Sequence, residues 1–242
     1  MIPASLPIAE AFKQGTILAT DSVSGGIARS GAWLTVETNG ILTVAAVIFA
    51  VLLLKVIAEL LPSLLNCIVM WRANVGLEHS ISMSRRRDIV GASCMLTVSL
   101  LSDRFELFRP LFIDRMQAGW RVPALFGIFL AYQLLRMALH APLRPPHMDN
   151  DSRRALCSVI PNFFILFVIT LLPVIGAEYV AGASDVVIQV SARVLAIMFF
   201  VLAMVRKAQI LHSSCSYLRT ILYLCSLELI PVALLTVVAT VL

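Results

Sequence analysis

One carboxylate interrupts the apolar C-terminal segment. After Arg219 the chain runs 23 residues to its end, and Glu228, within YLCSLELIP (223–231), is the only charge among them. A carboxylate in the middle of such a segment costs about 3 kcal/mol in lipid unless it is protonated or paired. Cys225 and Pro231 share roughly its helix face, and Pro231 also withholds a backbone N–H from the helix. The pattern predicts that Glu228 faces other helices and not lipid.

Two arginines in other apolar segments could pair with Glu228. Arg136 is predicted at a similar depth, near the midplane, with Gln133 one turn away, whereas Arg193 is predicted about 10 Å nearer the outer surface. We therefore expect Arg136 to be the partner and Arg193 the substitute. The predicted intramembrane polar cluster comprises Glu228, Arg136, Gln133, Arg193, Cys225 and Pro231. A structural ion pair is favoured over a transport or catalytic role, although charges within membranes are often functional.

Composition places these charges in a membrane protein. Hydrophobic residues make up 60% of the 242, charged residues 14%, and the mean hydropathy is +0.92. Soluble domains usually contain about 45–50% apolar and about 25% charged residues. The lipid bilayer is therefore the expected surrounding. With so few charges, the net charge of +5 indicates membrane topology and not nucleic-acid binding.

The predicted fold is all-α: a polytopic membrane protein with six transmembrane helices and short interfacial helices. A 34–242 membrane domain follows a 1–33 outer-face segment. The spans are predicted at about 36–56, 88–103, 121–142, 155–177, 185–205 and 218–241. The stretch LLPSLLNCIVMW (60–71) is too short to cross again and is predicted as an interfacial or partly re-entrant helix.

The distribution of basic residues decides the doubtful second span, whose charge-free part (89–102) has only fourteen residues. If it crosses and the N-terminus is outside, twelve Lys and Arg residues face inside and six face outside. If it does not cross, the distribution becomes nine against nine. The positive-inside bias favours six spans, with both termini on the outer, periplasmic side.

Chemical motifs are sparse. The five cysteines have no C-x-x-C spacing, and the four histidines are too far apart in sequence to suggest a metal site. We expect free thiols, no metal, no cofactor, no catalytic residues and no enzyme activity. The segment 103–117, DRFELFRPLFIDRMQ, is predicted as an outer interfacial helix whose docking surface comprises Phe105, Phe108, Arg109 and Phe112.

The C-terminal motif resembles that of an uncharacterised family. Tyr223-Leu224-Cys225, then Leu227-Glu228 and Pro231, is similar to the YLC-x-LE-x-x-P signature of a domain-of-unknown-function membrane family of Bacteroidota. The likeness covers most of the chain. Members often end with Lys after the last apolar stretch, and this chain does not. The resemblance implies a multi-pass bacterial inner membrane protein and implies no activity.

Two functions are compatible with these features. The first is a non-catalytic subunit or scaffold of a bacterial inner-membrane complex that binds other membrane proteins, with envelope protein handling as one setting. The alternative is a small transporter or proton-coupled channel using Glu228 and Arg136. The sequence has neither repeated halves nor a second carboxylate near the midplane of a predicted span, which favours the first function.

Overall fold

The described part of the chain is a bundle of helices. The computed structural model describes residues 33, 36–69, 81–108, 110–140, 150–212 and 217–241. The helices are α1 (Glu37–Val69), α2 (Ile81–Arg104), α3 (Leu111–Asp114), α4 (Ala118–His140), α5 (Asn150–Val180), α6 (Asp185–His212), α7 (Tyr217–Leu224) and α8 (Ile230–Val241), with a π-helical turn (Cys225–Leu229) between α7 and α8. The all-α prediction is confirmed.

Within the described residues, four helices are long and apolar enough to cross a membrane, not six as predicted. They cover Glu37–Ile68, Ala118–Leu139, Arg153–Val180 and Asp185–His212. The predicted span 88–103 lies in α2, whose first two turns carry Arg85, Arg86, Arg87 and Asp88 and lower its hydropathy. The predicted span 218–241 is helical throughout, but the π turn divides it into two short α-helices.

Helix α2 is sheltered by its neighbours. It contacts α1, α4 and α5, and its Ser99 and Ser102 are buried. Near its end, the Asp103 carboxylate accepts a hydrogen bond of 2.6 Å from the Trp33 indole, beside the start of α1. Near its beginning, Arg86 pairs with Glu59 in the second half of α1 at 2.6 Å. Helix α2 thus runs antiparallel to α1. Ser99 and Ser102 are buried between helices, whereas three of the four charged side chains near the beginning of α2 are exposed.

Helix α5 forms the centre of the bundle. More than half of its most apolar stretch is buried, compared with 6% for that of α1. Phe163 and Leu166 of α5 pack with Val90 of α2 and Phe199 of α6 in the main core. Other helices therefore cover most of the apolar run of α5, whereas most apolar side chains in the first half of α1 point away from the bundle.

The predicted interfacial helix at 60–71 is not separate. Helix α1 continues through Pro62 to Val69, and Leu60, Leu64 and Cys67 are almost fully buried. Leu60 and Leu64 belong to the main core, where Ile210 near the end of α6 also packs. A proline inside a helix removes a backbone donor and favours a break, but at Pro62 this apolar burial holds the helix together.

Candidate functional site

Glu228 is held by two cations inside the bundle. The Arg136 Nε atom lies 3.2 Å from Glu228 Oε2, and the Lys207 ammonium donates a hydrogen bond to Glu228 Oε1. The Arg136 Nη1 atom also donates to Gln133 Oε1 at 3.5 Å. The side chains of Glu228 and Lys207 are 1% exposed and that of Arg136 is 4% exposed. We call Arg136, Lys207 and Glu228 the ion cluster.

The structure brings together part of the predicted polar cluster. Arg136 pairs with Glu228 as predicted, and Gln133 lies one turn before Arg136 and contacts it. Pro231 is buried beyond Glu228, whereas Cys225 is exposed. Arg193 does not join the cluster: it is exposed on α6 and 14 residues, or about 21 Å of helix, before Lys207.

Lys207 is the residue that sequence reasoning missed. The predicted fifth span ended at residue 205, which placed Lys207 in an inner loop. Instead α6 continues to His212, and its buried face runs through Ala203, Lys207, Ile210 and Leu211. This spacing of i, i+4, i+7 and i+8 is that of an apolar helix face. Extending the α6 pattern past Arg206 would have placed the ammonium on the core side.

A π-helical turn presents Glu228 to its cations. In this turn the Ile230 N–H bonds the Cys225 carbonyl, five residues back instead of four. Pro231 has no N–H to continue the α-helical pattern, so this is where the helix can widen at least cost. π turns of this kind occur often at functional positions. The sequence indicated a weak backbone near Pro231 but not the type of turn.

The ion cluster lies near one end of the bundle and not at the predicted midplane of its partner helices. Arg136 is four residues before the end of α4 and Lys207 five before the end of α6, about 6 and 7.5 Å of helix rise. Helix α4 begins at Ala118, three residues earlier than predicted, which places Arg136 farther from the outer end.

The cluster has one positive charge in excess when all three groups are ionised. Its two cations share a single carboxylate, and all three side chains are withdrawn from solvent. Buried charges are stable when paired, and removal of a partner leaves an uncompensated charge. The arrangement can tie α4 and α6 to the C-terminal helical segment, and its remaining charge favours an anion nearby.

One of the four residues predicted for the outer docking surface, Phe105, is not at the surface. Phe105 is buried and packs with Leu171, Ile175, Ile188 and Ala192. Phe108 and Phe112 are half-buried, and the Phe108 ring lies 5.8 Å from that of Phe129; Arg109 lies outside the described residues.

The segment 103–117 is also not the predicted interfacial helix. It comprises the end of α2, a turn with Glu106 at φ 51°, and the four-residue α3. The alternation of phenylalanines and charged residues in this segment belongs to a tight turn that packs Phe105 onto the core.

Four of the five cysteines lie in the part of the chain that the structure describes. Cys67, Cys94, Cys157 and Cys225 are free thiols, and Cys215 lies outside the described residues. No three His, Cys, Asp or Glu side chains in this part of the chain come together as a metal site. The segment 1–32 lies outside the described residues as well.

In the part of the chain that the structure describes, the fold is all-helical, with four apolar helices of membrane length and a buried ion cluster. Family models, curated proteins and solved structures all gave no match to this chain. The family resemblance inferred from the YLC-x-LE-x-x-P motif therefore stays a prediction.

Proposed function

We propose that this protein is a non-catalytic membrane subunit or scaffold that binds another membrane protein through the outward face of α6. The observation that carries the proposal is Arg193, an exposed cation among Val190, Val194 and Ile197, which are also exposed. These four residues define the α6 outer face. Their spacing places them on one side of the helix.

Arg193 is poorly suited to lipid contact. It lies eight residues, about 12 Å of helix, after the start of α6. An arginine within the hydrocarbon core is expensive, and such residues usually pair with an acidic or polar group. No carboxylate within the described ranges forms a salt bridge with Arg193. A partner helix with an acidic or amide side chain at this level would satisfy it.

The ion cluster supports a structural role over ion transport. Its charges contact one another, and they lie within two turns of the ends of α4 and α6. The cavity on the midplane side of Gln133 is lined almost entirely by apolar side chains. A proton or ion pathway needs successive polar groups, and this cavity supplies few.

The orientation follows from basic residues at the two ends. The end with the ion cluster carries, besides Arg136 and Lys207 of the cluster itself, the basic residues Arg85, Arg86, Arg87, Arg153, Arg154 and Arg206. The opposite end carries three: Arg104, Arg115 and Arg121. By the positive-inside rule we place the ion cluster on the cytoplasmic side and the start of α1 outside. A bacterial inner membrane and a setting in envelope protein handling are part of the proposal and rest on the motif resemblance.

The test is the size of the assembly that contains this protein. Extraction into native lipid particles should give an assembly larger than the single chain, and Arg193→Leu should reduce it. Arg154→Leu, a matched change at another exposed arginine near the opposite end, should leave it intact. An unchanged assembly in Arg193→Leu would contradict the proposal, because Arg193 would then reach the headgroup layer by itself.

A second function, a small proton-coupled transporter, is favoured by one observation. Glu228 is a buried carboxylate in a π turn, and π turns within α-helices are frequent at functional sites. Glu228→Gln would then abolish a proton-dependent flux in vesicles at normal abundance. Under the scaffold proposal the same change leaves two buried cations without a carboxylate and lowers the amount of folded protein.

A further inference from the structure

An apolar cavity opens between four helices on the midplane side of the ion cluster. Its volume is about 290 Å³, close to the size of small-ligand pockets. Helices α2, α4, α5 and α6 contribute to its wall, which includes Met95, Phe129, Gln133, Phe163, Phe199 and Ala203. The wall is therefore suited to a flexible apolar chain.

The cavity and the two cations lie along the same helix faces. Gln133 is three residues before Arg136 on α4, and Ala203 is four residues before Lys207 on α6. These spacings correspond to about one helical turn, or roughly 5 Å. Gln133 connects the two regions directly, because its side-chain oxygen accepts a hydrogen bond from Arg136. A ligand chain in the cavity would have its polar end beside Arg136.

The net charge of the ion cluster indicates that the polar end of the ligand is an anion. Two cations face one carboxylate, so an anion is needed to balance the cluster. Helix α6 has 28 residues and is about 42 Å long, compared with about 30 Å for the hydrocarbon core. If α6 extends equally beyond both sides, Lys207 lies close to the boundary between acyl chains and headgroups. A phospholipid phosphate lies just beyond that boundary.

We propose that the cavity binds one acyl chain of an anionic phospholipid, with its phosphate near Arg136 and Lys207. The aromatic wall holds the chain, Gln133 and Arg136 donate hydrogen bonds to the headgroup, and the phosphate balances the excess positive charge. Basic pockets between membrane helices on the cytoplasmic side bind anionic headgroups in the same way. The bound lipid would fill a gap between α4, α5 and α6 that protein side chains leave open.

The experiment measures lipid retained by the purified full-length protein with native mass spectrometry. The protein is equilibrated with equal amounts of phosphatidylglycerol and phosphatidylcholine in mild detergent. We expect one tightly held lipid, with phosphatidylglycerol preferred by about fivefold, the effect of roughly one basic side chain near an anionic headgroup. Inorganic phosphate added at the same concentration should not displace it, because phosphate lacks the chain.

Three variants separate the contributions of chain and charge. Ala196→Phe adds bulk at an exposed position of the cavity wall and should abolish retention. Ala138→Phe makes the same change at an exposed position of α4 outside the cavity wall and should retain lipid normally. Lys207→Met leaves Arg136 and Glu228 as a neutral pair and should remove the preference for phosphatidylglycerol. If Lys207→Met does not fold, Arg136→Leu makes the same change of net charge.

Several results would overturn the proposal. Equal retention of the two lipids by the unmodified protein would refute the role of the ion cluster. The same retention in Ala196→Phe and Ala138→Phe would refute the cavity as the site. Displacement by inorganic phosphate would show an anion site without a chain.

Discussion

Removing both cations of the ion cluster should destabilise the protein much more than the two single changes suggest. Arg136→Leu leaves Lys207 to balance Glu228, and Lys207→Met leaves Arg136. Each single variant loses one hydrogen bond to a charged group, about 1.5 kcal/mol, but keeps a neutral pair. The double variant removes both cluster cations from the buried Glu228, and breaking this second pair costs about 3–5 kcal/mol. We therefore expect a coupling of about 2 kcal/mol between the two changes.

The assay is reversible unfolding in mild detergent, with the folded fraction followed for the unmodified protein, both single variants and the double variant. Adding Glu228→Leu to the double variant removes the stranded carboxylate and should recover most of the loss. Additive effects of Arg136→Leu and Lys207→Met would refute a shared role in balancing Glu228. Severe loss in either single variant would show that the second cation cannot replace the first.

Further predictions concern the part of the bundle away from the ion cluster and can be checked by thermal unfolding. Gly127→Ala should stabilise α4 by about 1 kcal/mol, since a Cβ there meets nothing within 4 Å. Gly119→Ala should stabilise the protein less, because its Cβ would lie 2.9 Å from Thr38 Oγ1. Equal gains would contradict the close approach of α1 and α4. Trp33→Phe should cost about 1.5 kcal/mol by removing the indole hydrogen bond to the end of α2. The matched change Trp120→Phe, at a side chain 64% exposed, should cost little, and the reverse order would contradict this contact.

The sequence predicted the pairing of Glu228 with Arg136 because both charges are conspicuous in apolar segments and a buried charge needs an opposite one. It did not predict Lys207, since a lysine beside Arg206 at the end of an apolar run resembles an ordinary membrane-boundary residue. Only the position of Lys207 on the buried side of α6 distinguishes it. Arg193 was wrongly assigned to the polar cluster for a related reason. The depth of a residue can be counted along a helix, but the direction of its side chain depends on which face of the helix packs against its neighbours.

Helix α2 shows why the number of spans could not be read from charge alone. Its apolar centre and the distribution of basic residues both favoured a crossing, but the charged side chains near its beginning lower its hydropathy. Its contacts with three neighbouring helices bury Arg87, Ser99 and Ser102. The C-terminal segment was predicted as one helix because a π turn has no clear sequence pattern beyond the proline that follows it. Phe105 was assigned to the surface because charged neighbours flank it, whereas the turn after α2 directs it into the core.

The central claim is that the α6 outer face contacts another membrane protein. Site-specific photo-crosslinking in native membranes tests this claim most directly. A photoreactive amino acid at Ile197, beside Arg193 and 64% exposed, should form a defined protein adduct. The same group at Leu222 on α7, which is 72% exposed and outside the proposed interface, should form lipid adducts only. Arg193→Leu should weaken the protein adduct at position 197. Lipid adducts alone at both positions would contradict the account.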